Sequence, residues 1–171
     1  MTNKSTSDLQ PSPEAIALVL GRIPSGLSIL TASDGEGRET GMLASWVQQA
    51  SFEPPAITIA VHQKRYLNDW LREGAHVAVS LLAESNSNYL KHFGKGFEPE
   101  EPAFDGLQID RSPAGIPVLT DTLGYLEGRV TGHFTPGDHV IYGIEVTAAA
   151  VGPLLETGKP FVHLRKNGLG Y

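Results

Sequence analysis

The sequence predicts a mainly β protein with short helices, its antiparallel strands closed into a small barrel. Three observations carry that reading. The 19 glycines and 12 prolines are spread along 171 residues rather than clustered, which suits many short strands joined by turns better than a helical bundle. Two long β-prone runs, Leu123 to Phe134 and His139 to Val151, flank Thr135-Pro136-Gly137-Asp138 and make the clearest hairpin in the chain. No internal repeat or coiled-coil heptad is visible, and closing a sheet on itself is the usual way for such strands to avoid exposed pairing edges. A chain of this length fits one domain whose core needs no disulfide or metal.

Residues 1–11 read as a disordered tail and 12–171 as the folded domain. Ser12 as N-cap and Pro13 at the first helical position open a helix. Ile16, Val19, Leu20 and Ile23 fall at helical spacing, and Pro24 with Gly26 ends the run. Leu27 to Ala32 reads as a buried strand, Ser33 to Glu39 as a turn, and Thr40 to Trp46 as the returning strand. Gly35-Glu36-Gly37 looks like the start of a dinucleotide fingerprint. The third glycine stands at 41 rather than 40 and no amphipathic helix follows, so the segment reads as a hairpin turn. Pro54-Pro55 punctuates before the β-prone run Ala56 to Val61. Tyr66 to Glu73 fits a short helix closed by Gly74, His76 to Leu82 another strand, and Ser85 to Phe93 a second short helix stopped by Gly94. Phe97 to Pro117 is a long, acidic, proline-bearing connection, and such loops are usually functional or disordered. A last strand near Phe161 to Leu164 leads into a polar tail ending at Tyr171.

Composition removes several functions. Thirteen basic residues against 19 acidic ones give a net charge of −6 with no basic stripe, so nucleic acid is not an expected partner. The absence of cysteine removes thiol catalysis, iron–sulfur clusters and thiolate zinc sites, and fits a reducing compartment. No stretch approaches the roughly 20 apolar residues of a bilayer span, and Met1 to Gln10 lacks the apolar run of a signal peptide. A cytoplasmic protein without a membrane partner is the expectation. The six histidines, His62, His76, His92, His133, His139 and His163, form no His-x-x-x-His pair and no cluster with carboxylates. Most read as surface or hydrogen-bonded groups, and no metal is assigned. Hydrolase chemistry has no support: there is no Gly-x-Ser-x-Gly elbow, and Glu100-Glu101 sits in a loop.

Three places could hold a ligand. The segment Gly41 to Pro55 begins as a strand and then loads small and polar residues into an apolar run. Ala44 and Ser45 would let backbone N–H groups approach a ligand, and Ser45, Gln48, Gln49 and Ser51 could supply donors; a partly exposed edge strand and loop explains the same composition. Lys64-Arg65 follows the strongest strand and precedes a short helix, where charge and dipole together suit a phosphate, although solvated cations in a turn are the commoner case. His139 follows Pro136-Gly137-Asp138 at a hairpin tip, where it could cap a pocket or face water.

In order along the chain, Pro24-Ser25-Gly26-Leu27-Ser28-Ile29-Leu30-Thr31, Met42-Leu43-Ala44-Ser45-Trp46-Val47 with Gln49-Ala50 and Pro54-Pro55, Lys91-His92-Phe93, Gly137-Asp138-His139, and His163-Leu164-Arg165-Lys166-Asn167-Gly168 with Tyr171 resemble the flavin reductase-like family, whose fold is the FMN-binding split barrel. The resemblance is closest to the flavin reductase domain appended to cyanobacterial flavodiiron proteins. It implies that Met42, Leu43, Ala44, Ser45 and Trp46 lie along the isoalloxazine and ribityl chain with their backbone amides. Gln49 belongs to the same stretch, and Ser51 would face the ribityl phosphate region. Lys64 and Arg65 would neutralise the phosphate, with the choice between them open. His92 and Phe93 would border the cofactor, His139 would stand at the mouth where nicotinamide stacks, and Tyr171 would close the pocket.

The resemblance further implies a homodimer with flavin near the subunit interface. The bound cofactor would be FMN, with FAD as the alternative, and NADH or NADPH the co-substrate. Hydride would pass from nicotinamide to the flavin and electrons onward to free flavin, a monooxygenase or another redox acceptor, with no catalytic side chain required. An FMN-bound electron carrier (flavoredoxin-like) and a non-enzymatic flavin-binding module are the competing readings, with a haem-binding relative more distant.

Overall fold

The computed structural model describes residues 12–170; the expected tail, residues 1–11, and Tyr171 lie outside the described residues. The chain divides into two compact units, one comprising Met1–Ser25 with His163–Tyr171 and the other Gly26–Val162.

In the first unit, helix α1 (Pro13–Leu20) starts as its sequence dictates. The Ser12 side chain accepts the Ala15 N–H at 3.3 Å, and Pro13 occupies the first turn. The C-terminal residues are bonded to its end, Gly168 N–H to the Ala17 carbonyl at 2.7 Å and Arg165 N–H to that of Gly21 at 3.1 Å. Position 168 must be glycine for this, since a Cβ there would stand 2.2 Å from that of Leu20. The apolar spacing suggests a covered stripe, yet Ile16, Val19 and Ile23 are 49%, 70% and 56% exposed.

Strands β1 (Ser25–Gly26) and β11 (Val162–His163) fall at the unit boundaries. The second unit holds β2 (Ser28–Ser33), β3 (Glu39–Ala44), β4 (Val47–Phe52), β5 (Pro55–His62), β6 (His76–Leu81), β7 (Ile109–Arg111), β8 (Pro117–Leu119), β9 (Gly124–Phe134) and β10 (His139–Val151). Seven of them form one antiparallel sheet in the order β3-β2-β6-β9-β10-β5-β4.

That order closes the sheet. β3 and β4 are its two edges, yet only Ser45 and Trp46 separate them in sequence. Three peptide steps reach about 10 Å at most, so the sheet must curl until its edges nearly meet. Inward side chains then share one core: Leu30, Ala44, Ile57, Ile59, Val61, Val77, Val79, Val130, Tyr142 and Ile144 are buried together. On the outside, helix α2 (Ser87–Phe93) packs Tyr89 and Phe93 with Leu27, Ile29 and Leu119. The result is the mainly β split barrel that the sequence predicts.

Four local expectations change. The strand read as Thr40 to Trp46 stops at Ala44, because residues 45–46 cross between the sheet edges. The helix expected over Tyr66 to Glu73 is a 3-10 turn at Tyr66–Asp69. The second helix begins at Ser87 rather than Ser85. The connection from 97 to 117 contains β7, which pairs with β8. The Gly35–Gly37 segment is the expected hairpin turn: both glycines have positive φ, +81° and +101°, and the Asp34 carboxylate accepts the N–H groups of Glu36 and Arg38. No helix among the described residues is long and apolar enough to cross a membrane.

Candidate functional site

The seam brings the chemistry together. As an edge strand, β3 is bonded only to β2, so alternate N–H and C=O groups along it remain available to a ligand. Its side chains are otherwise engaged: Met42 and Ala44 contribute to the interior cluster, Leu43 to the outer one. Gly41 is closed from behind by Phe93, 1% exposed, whose Cε1 would lie 2.5 Å from a Cβ at that position. Phe93 is therefore the wall behind β3, and what β3 offers a ligand is backbone.

A cleft of ≈ 20 Å³ opens beside it, lined by Thr40, Gly41 and Met42, by Arg65, Tyr66 and Leu67 of the turn after β5, and by Gly96 and Phe97. Tyr66 donates its hydroxyl to Thr40 Oγ1 at 2.8 Å, and burial pushes its phenol pKa upward. Arg65 is exposed and reaches over Gly96, where a Cβ would meet its Nη1 at 2.6 Å. Its guanidinium makes no ion pair or side-chain hydrogen bond among the described residues. Arg38 differs: it is bound to Asp34 and Glu100, each at 2.6 Å, and lies 5.7 Å over the Trp70 ring. Of these two arginines, Arg65 is the one with capacity for an anion.

The second group gathers at the same end of β5. Antiparallel pairing sets His139 of β10 opposite His62 of β5, with their ring centroids 5.0 Å apart. Trp46, in the seam link, places its ring 4.8 Å from that of His139. Asp138 lies between the two histidines, Oδ1 2.8 Å from His139 Nδ1 and Oδ2 3.9 Å from His62 Nε2. The bond with His139 is the main reason its carboxyl is held below the ordinary value. An ionised carboxylate only accepts, so His139 Nδ1 donates in this contact.

Not every expected residue joins these groups. Ser51 pairs with Ala56 near the start of β5, and Gln49 with Ile57, whereas Lys64 and Arg65 follow its far end. At about 3.3 Å per residue the separation is roughly 20–25 Å, so within one chain Ser51 and the two cations do not face one phosphate. Alternation and pairing decide this, and adjacency in the sequence had concealed it. His92 turns Nε2 to the Ala103 carbonyl at 2.8 Å and packs edge-on against Phe93 and beside Phe97, bordering the cleft through Phe97. Tyr171 lies outside the described residues. Sequence reasoning missed Tyr66, Gly96 and Phe97, which only the fold brings to β3. It also missed the partnership of His62 with His139, for which the signal was that each stands at the end of a paired strand.

A family model described as "Flavin reductase like domain" matches residues 20–167. The chain is 40% identical over 153 residues, 89% of its length, to diflavin flavoprotein A 1 of Synechocystis sp.. It spans about a quarter of that relative's length, 26%. Among solved structures, an NADH:FAD oxidoreductase of Streptomyces globisporus superposes with TM-score 0.76 at 23% identity, covering 86% of this chain and 85% of that one. The styrene monooxygenase flavin reductase of Pseudomonas putida S12 gives TM-score 0.71 at 22% identity, over 86% and 91%. At such identities these two structures speak to the fold alone.

Proposed function

The chain belongs to the flavin reductase-like domain family, and from that premise we propose that it is an oxidoreductase that binds FMN in the seam cleft and reduces it with NADH or NADPH. The observation that carries the reading is Arg65, an exposed guanidinium without a carboxylate partner among the described residues, in a cleft shared with the free edge of β3. The donor set suits a flavin phosphate and ring: a charge-assisted fork at one end and unpaired strand backbone along the other.

Bound flavin would supply the redox chemistry, taking a hydride from nicotinamide and passing electrons to free flavin, a monooxygenase or another acceptor. The chain's own part is to bind and orient. Arg65, with Lys64 beside it, would hold the phosphate. β3 backbone from Met42 to Ala44 would hydrogen-bond the ring edge, and Trp46 and His139 would form the mouth that receives nicotinamide. Asp138 keeps His139 Nδ1 protonated, so the imidazole meets the ligand in one tautomer. One copy supplies only one wall, since ≈ 20 Å³ is far below the roughly 300–1,000 Å³ of ligand pockets. A homodimer would complete the site, and residues such as Gln49, Ser51 and His92 would then reach the flavin bound by the other copy. A cytoplasmic location and the lack of a membrane partner belong to the same proposal.

Anaerobic visible absorption of the FMN-reconstituted protein tests it. Flavin bands that bleach on adding NADH or NADPH, well beyond a free-FMN control, are the expected outcome. Bound flavin that does not bleach would leave an electron carrier or binding module, and protein that retains no flavin would overturn the reading altogether.

A further inference from the structure

His139 is held by a residue that itself needs holding. Asp138 stands at the tip of the β9–β10 hairpin with 78% of its side chain exposed, against 13% for His139. An exposed aspartate samples other rotamers unless something holds it. The backbone of the tip is already clamped, because Gln63 donates its side-chain N–H to the Gly137 carbonyl at 2.7 Å and its backbone N–H to that of Asp138 at 2.9 Å. The freedom that remains is the Asp138 side chain.

His62 answers it. The Lys64 N–H donates to His62 Nδ1 at 3.1 Å, so that nitrogen is unprotonated and the ring proton sits on Nε2. Nε2 stands 3.9 Å from Asp138 Oδ2, the carboxylate oxygen that His139 does not use. We propose that His62 is a positioning residue: acting through Asp138, it fixes the orientation and tautomer of His139, and so sets how the mouth beside Trp46 receives nicotinamide. The kinetic consequence rests on the function proposed above; the tautomer consequence does not. Because His62 takes its own proton arrangement from the Lys64 amide, the same residue joins the mouth to the Lys64–Arg65 turn.

Long-range ¹⁵N spectra of the histidine rings, recorded on flavin-free protein, test the structural half. Wild type should show His139 as the Nδ1–H form and His62 as the Nε2–H form, and His62→Leu should move His139 toward tautomer-averaged shifts. His139 resonances that stay unchanged in a folded His62→Leu protein would overturn the proposal. Kinetically, His62→Leu should raise the nicotinamide KM about two- to five-fold, the scale of a weak exposed polar contact, with a smaller change in kcat. It should have no further effect in a His139→Ala background, and additive effects there would also overturn the proposal. His62→Gln, whose amide can still donate to Asp138 and accept from Lys64, should recover most of the loss, and it serves if the leucine variant fails to fold. A protein that oxidises no nicotinamide would remove the function proposed above while leaving the ring spectra to decide the role of His62.

Discussion

Replacing Arg65 with alanine isolates the electrostatics of the cleft. The guanidinium forms no ion pair among the described residues and is exposed, so its removal breaks no internal bond and the fold should keep its stability within about 0.5 kcal/mol. A charge-assisted hydrogen bond contributes about 1.5–3 kcal/mol. Its loss should therefore weaken FMN binding roughly ten- to a hundred-fold, while riboflavin, which has no phosphate, should bind as before. Flavin fluorescence titrations with both ligands, against wild type and Lys64→Ala, give the comparison. Lys64→Ala should cost less, because Arg65 and not Lys64 lines the cleft. Raising the salt concentration should narrow the wild-type preference for FMN, as expected of an exposed charge. Arg38→Ala provides the control: its partners are Asp34 and Glu100, and the ratio of FMN to riboflavin affinity should not move. Equal losses of FMN and riboflavin affinity in Arg65→Ala would refute the phosphate assignment.

Two further outcomes follow from the same geometry. A Cβ at Gly41 would stand 2.5 Å from Cε1 of the buried Phe93 ring, so Gly41→Ala should destabilise the fold by about 1–3 kcal/mol through overpacking, seen as a lower midpoint in urea; an unchanged midpoint would mean that α2 yields easily. The Asp138 carboxyl has its pKa lowered from 3.8, chiefly by the bond with His139. A depressed folded-state value contributes stability above the unfolded value and loses it as pH falls through the folded one, so the contact should persist to pH 3.8 and be lost only below it. His139 ring resonances followed through an acid titration should show that step, and Asp138→Asn should abolish it.

Much of the fold was legible because its signals are local. Ser12-Pro13 marks a helix start by capping chemistry, Gly35 and Gly37 mark a turn by their conformational freedom, and two β-prone runs around Thr135-Pro136-Gly137-Asp138 mark the β9–β10 hairpin. The 3-10 turn at Tyr66–Asp69 was less legible, since a short apolar-polar pattern fits an α-helix equally well until packing chooses. The cleft was legible by halves. Arg65 announced itself as a cation at a strand end, and Ala44 and Ser45 by their small size. Their grouping with Ser51 failed because strand pairing decides which end of a hairpin a residue occupies, and pairing is not written in any one segment. For the same reason His62 and His139, 77 positions apart by their numbers, were joined only by the pairing of the strands whose ends they occupy.

The location of the cleft follows from how this barrel closes. A fully bonded barrel has no edge and so no spare backbone donors. Here the chain passes from one edge of the sheet to the other through Ser45 and Trp46 alone, which draws the edges together without pairing them. The N–H and C=O groups of β3 that face this seam would be costly if buried without partners, so the seam must meet water, a ligand or another chain. The residues gathered there suit a ligand with a planar polar edge and an anionic end: backbone on β3, an indole in the link itself, and, on the turn after β5, a guanidinium with no ion pair among the described residues. The feature that leaves the barrel incomplete is thus also the one the proposed flavin site uses, and a substitution that let β3 pair directly with β4 should abolish flavin binding in fluorescence titrations while raising the urea midpoint.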